Sequence, residues 1–529
     1  MSSFKVLIAD PLSEDGIHPL LEEDNIEVVV DTGLSPEALL EKIPEFDALL
    51  VRSQTQVNHE VIERGTNLKV IGRAGVGVDN IDIKAATENG VIVVNAPNGN
   101  TNSAAEHTIA MIMGLARKIP QAHHALKAGR WDRKIYLGVE VKGKTLGIVG
   151  LGRIGEEVAY RAKGQRMKVI AYDPFLTQER ADRLGIEHGT LDEVLQASDF
   201  ITVHTPLLEE TRHLINKDAF AKMKDGVKIV NCARGGIIDE EALYQAILDK
   251  KVAGAALDVY EQEPVTDHKL FELDEVIATP HLGASTVEAQ ENVAIDTSKD
   301  VIRILNGGSA LNPVNIPSVP NEMLKKVEPY FHLAEKLGTF LAIVAKEPVE
   351  EFHVRFAGNL TDLNVAPITR NALKGFLKYH LGSRVNDVNA AYLATSKGIT
   401  VSEHKSSEAN GFTNLVTVEI KTKKASYSVV GTLLKGLGAR IVRVDRYTTD
   451  VVPEGHIVMI HHKDQPGAIG RVGTLLAEND VNIATMQVGR SESGGEAIMM
   501  LTIDKPLEDQ TIIEVQNLSD IYRAVEIDL

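Results

Sequence analysis

The sequence predicts an α/β protein: two doubly wound lobes of parallel sheet, followed by two smaller α+β domains. Three observations predict it. Short apolar runs alternate with amphipathic stretches from the N-terminus to about residue 281, the pattern of parallel strands joined by crossover helices. Within that region, Gly147-Ile-Val-Gly-Leu-Gly-Arg-Ile-Gly155 spells G-x-G-x-x-G between a strand-like and a helix-like run. The last stretch, His456–Leu529, reads β-α-β-β-α-β, the ferredoxin-like order.

Bulk properties narrow the class. The 529 residues are too many for one hydrophobic core, so three or four domains are expected. The chain is 43% hydrophobic and 25% charged, as a globular protein is. Its net charge is -18, and no basic run offsets it, which argues against nucleic acid or an anionic membrane as partner. An anionic substrate would need a locally cationic pocket. The single cysteine, Cys232, excludes an intrachain disulfide and fits a reducing compartment. Phe4–Ala9 already reads as a core strand, so Met1–Asp10 is no signal peptide, and no apolar run approaches membrane-spanning length. A cytoplasmic protein is expected.

In the first lobe the strand candidates are Lys5–Ala9, Glu27–Asp31, Ala48–Arg52, Lys69–Arg73 and Val91–Asn95, with helical patterns between them. In the second, strands end in Gly150, Asp173, His204-Thr205-Pro206, Cys232-Ala233-Arg234, Asp258 and Pro280-His281. These are two Rossmann-like lobes. Ligands of such sheets sit beyond the carboxyl ends of the strands, so one crevice should collect these residues. A helical stretch, Thr286–Leu305, ends at Gly307-Gly308, and Leu311–Pro317 reads as a linker. Residues 318–452 read as α+β, with helices around Asn321–Lys346 and Ile368–His380 and strands at Glu351–Phe356, Leu415–Lys421 and Arg440–Arg446. Val452–Gly455 is a second boundary.

The glycine fingerprint has a physical reading. Gly150 allows a tight turn, Gly152 lets a pyrophosphate approach the backbone, and Gly155 lets helix pack on strand. The helix start favours phosphates through its free N–H groups and dipole. Asp173, at the end of the next strand, lies where an acid would bind a ribose 2′-hydroxyl. Pro174 and Phe175 follow, with no basic residue for a 2′-phosphate, so the expected cofactor is NAD rather than NADP.

A nicotinamide domain also needs a proton carrier and a group that polarises a carbonyl. Arg234, at a strand end before Gly235-Gly236, can hold a carboxylate by two parallel hydrogen bonds. His281 in Thr279-Pro-His-Leu-Gly-Ala-Ser-Thr286 suits acid/base work near neutral pH. Glu263, before Pro264, could fix its tautomer. Taken singly each also has a plainer reading: a surface ion pair for Arg234, a solvated turn for Glu263, a helix cap for His281. His204 reads as positional and His107 as structural. His123-His124 and His461-His462 lack a third ligand at suitable spacing, so no metal is expected.

Taken together and in this order, Gly150–Gly155 with Asp173, Asn231–Gly236, Glu263-Pro264 and Thr279–Thr286 resemble the D-isomer-specific 2-hydroxyacid dehydrogenases. Arg73-Ala-Gly-Val-Gly-Val-Asp-Asn80 and Pro97–His107 resemble the phosphoglycerate dehydrogenase branch. The last segment, with Asp464-Gln-Pro-Gly467 as its first turn, looks like an ACT domain, and 318–452 looks like that branch's extra domain. The resemblance implies NAD-dependent oxidation of D-3-phosphoglycerate to 3-phosphohydroxypyruvate, the first step of L-serine synthesis. It implies a substrate lobe of 1–98 with 282–315, an NAD domain of 99–281, an intervening domain of 318–452 and an ACT domain of 456–529.

The resemblance also assigns roles. His281 would be the acid/base, Glu263 its orienting partner and Arg234 the substrate clamp. Arg153 and Ile154 would meet the pyrophosphate and Asp173 the ribose. Thr205, Cys232, Ala233, Asp258, Gly283 and Ala284 would line the nicotinamide and adenosine. Arg52, Ser53, the Gly75-Val76-Gly77 backbone and Asn100 would bind substrate. Arg133 and Lys134 would come from a neighbouring subunit. Val76 departs from relatives that carry a polar residue there, so only backbone contacts are expected at that position. The ACT-like end implies an amino-acid effector, L-serine as end product, bound by His462, Asp464, Gly467 and Asn482 in a homo-oligomer, a tetramer or dimer. Asp464 as an N-cap and Asn482 as a turn residue are the plainer alternatives. In the middle block, Lys421-Thr-Lys-Lys424 and Arg440–Arg446 are basic and could bind an anion, with a solvated face as the plainer reading. Two other functions compete: oxidation of a different 2-hydroxyacid, and an NAD-binding scaffold without turnover.

Overall fold

The computed structural model of the chain describes residues 3–317, 321–490, 492 and 494–529. Its first sheet has five parallel strands in the order 26–30, 4–8, 48–51, 70–73, 92–95. All four residues of Ala48–Val51 are buried. That explains their unbroken apolar run, since a parallel sheet is covered on both faces. Helix Val287–Leu305 returns from the second lobe and packs on helix Glu14–Leu21 and on strands 70–73 and 92–95.

The second sheet has seven parallel strands in the order 276–278, 252–257, 227–231, 200–203, 145–149, 168–172, 187–188. Strand order reverses between 145–149 and 200–203, which is the switch point where such sheets bind ligands. Helix Thr101–Arg117 packs on helix Arg153–Gly164 and on strands 227–231 and 252–257. The edge strand Glu187–His188 is only two residues long and exposed, so no apolar alternation announces it.

The middle block has six strands, in the order 400–406, 349–358, 414–422, 426–434, 438–444, 447–451, not the three that the sequence pattern suggests. Helices Pro329–Val344 and Ala366–Leu381 cover one face and touch backbone to backbone. A Cβ on Gly338 would stand 1.9 Å from the Ala372 carbonyl oxygen, and one on Gly375 2.0 Å from that of Glu335. The last sheet is antiparallel, in the order 483–490, 496–503, 456–463, 521–528. Helices Ala468–Glu478 and Asp509–Gln516 lie on one of its faces. The other face puts Ile457, Met459, Ile498, Met500 and Ile527 into the core built around helix Pro329–Val344. Among the described residues, no helix is long and apolar enough to cross a membrane.

Candidate active site

The carboxyl ends of both parallel sheets meet at a cleft of about 730 Å³. Arg52, Ser53, Arg73, Gly75, Asn100, Arg234, Glu263, His281 and Ala284 line it. Arg52 follows the strand that ends at Val51, and Val51 pairs in register with Arg73 on the next strand. The two arginines thus leave neighbouring strand ends, and the charge of Arg52 is felt at Arg73. The Asp10 carboxylate accepts the Arg52 N–H at 2.6 Å and the Thr55 hydroxyl at 2.6 Å, and Asn80 donates to the Arg52 carbonyl at 2.8 Å. These bonds hold the loop after the strand.

Arg234 enters from the opposite lobe. Its Nη1 donates to the Ala233 carbonyl at 2.7 Å and its Nε lies 3.3 Å from Asp79 Oδ2. Burial, then the like charges of Arg234 and Arg52, push the Arg73 guanidinium down to about 10. Its buried Nε has no partner among the described residues. Three arginines thus face one space in a protein of net charge -18. Such a wall selects a substrate with more than one anionic group. Arg52 is among the residues that the resemblance implies; Arg73, the last residue of its strand, is not.

His281 sits at φ +56°, the left-handed region that a non-glycine residue enters at a cost. Its Nδ1 is 2.7 Å from Glu263 Oε2, and Glu263 Oε1 accepts the Tyr260 N–H at 2.9 Å. An ionised carboxylate only accepts, so Nδ1 carries the proton and Nε2 is left with the lone pair. Burial by itself would raise the Glu263 carboxyl. The bonds from His281 and Tyr260 outweigh it and leave the group below the usual carboxylate range.

Asp258, fully buried, pins both flanks of His281. Its Oδ1 accepts from the Thr279 hydroxyl at 2.6 Å and the Leu282 N–H at 2.7 Å, and its Oδ2 from the Gly283 N–H at 2.8 Å. Burial pushes this carboxyl up, and the bonds from His107, Thr279 and Leu282 bring it below its ordinary value. His107 Nε2 lies 3.3 Å from Asp258. This partner is 151 positions away in sequence, so sequence spacing carried no sign of it. His281 does not cap the helix that follows; Thr286 does, accepting the Ala289 N–H.

The fingerprint turn fits a dinucleotide. Gly150 has φ +95°, and a Cβ there would stand 2.6 Å from the His204 carbonyl oxygen. A Cβ on Gly155 would stand 2.3 Å from the Gly150 carbonyl oxygen, whereas one on Gly152 would meet nothing within 4 Å. Arg153 and Ile154 open the helix, the first exposed and the second half-buried. The Asp173 carboxylate accepts the Leu151 N–H and the Phe175 N–H, both at 2.8 Å, and keeps lone pairs for a diol. The buried Thr205 hydroxyl has no partner among the described residues. Burial pushes His204 down to about 4, so its ring is neutral, and it bonds Thr202 at 3.0 Å. Burial pushes the Cys232 thiol up to about 12, which leaves it unreactive wall.

Other candidates stand apart. Val76 contributes its carbonyl to Asn95 Nδ2 at 2.5 Å, and neither Val76 nor Gly77 lines the cleft. Gly77 instead lies under the Arg234 guanidinium. Arg133 and Lys134 are exposed and outside their own chain's cleft, in a segment where Trp131 and Leu137 are 79% and 82% exposed. In the last domain Asp464 caps no helix, since Gly467 holds that position. Asp464 Oδ2 accepts the Gly494 N–H at 3.1 Å, Asn482 donates to Asp504 at 2.7 Å, and the buried His462 leaves Nε2 unpartnered among the described residues.

Residues 109–283 match the family model described as D-isomer specific 2-hydroxyacid dehydrogenase, NAD binding domain. Residues 326–445 match the D-3-phosphoglycerate dehydrogenase intervening domain, and 456–519 the ACT domain. The D-3-phosphoglycerate dehydrogenase of Bacillus subtilis is 49% identical over 99% of this chain and 100% of its own. That of Archaeoglobus fulgidus is 45% identical over 99% and 100%. The TT0316 protein from Thermus thermophilus, a solved structure, matches with a TM-score of 0.55 and 33% identity over 59% of this chain and 100% of its own. With full-length identity at that level, and all three domain types in order, the chain belongs to the long-form D-3-phosphoglycerate dehydrogenases.

Proposed function

We propose that the cleft oxidises D-3-phosphoglycerate at C2 to 3-phosphohydroxypyruvate, opening L-serine biosynthesis. The observation that carries this reading is the His281–Glu263 pair facing Arg52, Arg73 and Arg234 across one cleft. NAD, when bound, supplies the two-electron acceptor for the hydrogen on C2. Gly150, Gly152, Arg153, Ile154 and Gly155 would hold its pyrophosphate and Asp173 its ribose. Thr205, Cys232, Ala233, Asp258, Gly283 and Ala284 would form the walls around it.

The substrate's carboxylate bonds Arg234, and its phosphate lies towards Arg52 and Arg73 beside Ser53, Gly75 and Asn100. His281 Nε2 takes the C2 hydroxyl proton. Glu263 holds Nδ1–H, keeps the ring in that tautomer and offsets the charge it gains. Arg234 stabilises the oxygen as it becomes a carbonyl. Arg133 and Lys134 of a neighbouring copy add charge at the cleft mouth. Their exposure beside Trp131 and Leu137 supports contact with a second chain.

The ACT domain serves as an effector site for L-serine. Asp464 follows the C-terminal end of strand 456–463. Asn482 precedes strand 483–490, whose Ile483 is level with His456 at the other end. Asp464 and Asn482 can therefore meet one ligand only across two copies. Exposed residues 484, 485, 487 and 488 of this edge strand support such pairing, while its Gly489 packs on strand 447–451. Asp464 takes the ammonium group, N–H groups at Gly467 take the carboxylate, and His462 closes the site. The protein is then a dimer or tetramer, and its unpaired Cys232 suits the cytoplasm.

The test is NADH formation at alkaline pH from D-3-phosphoglycerate, with and without L-serine. Turnover that serine suppresses is expected. Turnover indifferent to serine would overturn the effector reading alone. Bound NADH without turnover would overturn the phosphoglycerate reading and point first to a different 2-hydroxyacid, then to a scaffold. His281→Ala should abolish turnover and keep NADH affinity; loss of NADH binding in a folded variant contradicts its proton-transfer role.

A further inference from the structure

We propose that a second cavity, between the first lobe and the middle domain, binds a small oxyanion, the phosphate or carboxylate of a metabolite, with Arg370 as anchor. The cavity measures about 320 Å³ and shares no lining residue with the catalytic cleft. Gly307, Gly308 and Ser309 form one wall, and Arg370, Asn371 and Lys374 of helix Ala366–Leu381 form the other. Nε and Nη1 of Arg370 are buried, and neither has a hydrogen-bond partner among the described residues.

A guanidinium does not shed its proton to escape burial. Unpaired burial of such a group is costly, and native structures almost always relieve it with a partner. Burial is the main influence on Arg370, and Asp387 and Glu403 offset it only in part through space. Lys374, one turn on, faces the same cavity and bonds Glu335 at 2.8 Å. Glu328 and Asp387 also line the cavity, and the charge of Asp387 reaches Arg370, so an anion competes with Asp387 for the unpartnered N–H groups of Arg370.

An occupant here would be felt at the catalytic cleft. Helix Val287–Leu305 spans both sites: Ala289, Gln290 and Val293 line the cleft and Ile304 lines the cavity. Asn386 donates to the Gly90 carbonyl at 2.7 Å, joining the two domains beside the cavity. An anion on Arg370 therefore fastens the middle domain to the lobe that carries Arg52 and Arg73.

Hydrogen exchange on the full chain tests this, with inorganic phosphate in one arm and acetate in the other. Peptides from 303–317 and 366–381 should exchange roughly tenfold more slowly at ten times the anion's Kd. The arm that protects them identifies the head group. Arg370→Met should lose the protection while keeping turnover. Ser309→Asp, which sets a fixed carboxylate in the cavity wall, should protect the same peptides without added anion. No protection by either anion, protection confined to the cleft segments, or a full response in Arg370→Met would overturn the proposal. If Arg370→Met does not fold, a parental anion response in Ser309→Asp overturns it instead.

Discussion

A Cβ on Gly77 would stand 2.0 Å from Nη2 of Arg234 and 2.8 Å from Oδ2 of Asp79. Both obstacles are ends of flexible side chains, so the fold can absorb a methyl group by moving Arg234. Catalysis cannot absorb it: a displacement of about 1 Å in a positioned group costs on the order of 100-fold. Gly77→Ala should therefore lower kcat/KM by about 10- to 100-fold and leave NADH affinity and Tm unchanged. A variant with parental kcat/KM would remove Arg234 from the substrate clamp. His204 supports a different prediction. Its folded pKa is depressed from 6.5 to about 4, so its contribution is present above 6.5 and is lost as pH falls from 6.5 towards 4. The unfolded chain binds that proton first, at a cost of up to about 3 kcal/mol. His204→Gln should flatten the unfolding free energy over that window, as read from urea titrations at several pH values. At this scale the sequence discloses residue type and strand-end position, which mark Arg234 and His281 as candidates, and both line the cleft. They do not disclose Asp258's bonds to Leu282 and Gly283, which fold-level contact alone creates.

The turn from strand 145–149 into helix Arg153–Gly164 separates two uses of glycine. Gly155 is needed by the protein, because its Cβ would strike the Gly150 carbonyl, a backbone atom that cannot step aside. Gly152 has open space around its Cβ position and an ordinary φ of -76°, so only the ligand needs it. Gly152→Ala should change stability by less than about 0.5 kcal/mol while weakening NADH binding at least about tenfold. Gly155→Ala should lose both NADH binding and roughly 1–3 kcal/mol. Equal Tm losses in the two variants would refute the distinction. Elements of this kind were legible because a buried parallel strand writes itself as an apolar run, as Ala48–Val51 does. Strands 400–406 and 447–451 were not. Thr-Val-Ser-Glu-His-Lys-Ser is a mostly exposed polar edge strand, and Tyr-Thr-Thr-Asp-Val at the other edge buries polar Thr449 beside its apolar positions, so neither reads as an apolar run.

At the scale of the whole molecule, the last two domains are two sheets with one shared core. Strand His456–Lys463 serves both sides: Val458 and Ile460 face its own helices, while Ile457 and Met459 face helix Pro329–Val344. Strand Glu496–Ile503 repeats the arrangement, with Met499 and Leu501 on one side and Ile498 and Met500 on the other. Arg523 donates to the Val344 carbonyl, and Gly455 and Leu529 exchange backbone hydrogen bonds at the junction. The doubly apolar runs Ile457–Ile460 and Ile498–Leu501 carried this signal, since a sheet open to water on one face would alternate. Because the far face of the ACT sheet is core for its neighbour, the two domains should unfold together. Ile457→Ala, which empties a fully buried site, should cost about 2–5 kcal/mol. Native-state hydrogen exchange should register the loss equally in peptides from 329–344 and from 456–463, with no change in the lobe of residues 145–278. A loss confined to 456–529 would make the ACT domain an independent module. Coupling of the predicted kind would carry an effector's influence from the ACT sheet through helix Pro329–Val344 to its backbone-packed neighbour Ala366–Leu381, the helix that bears Arg370.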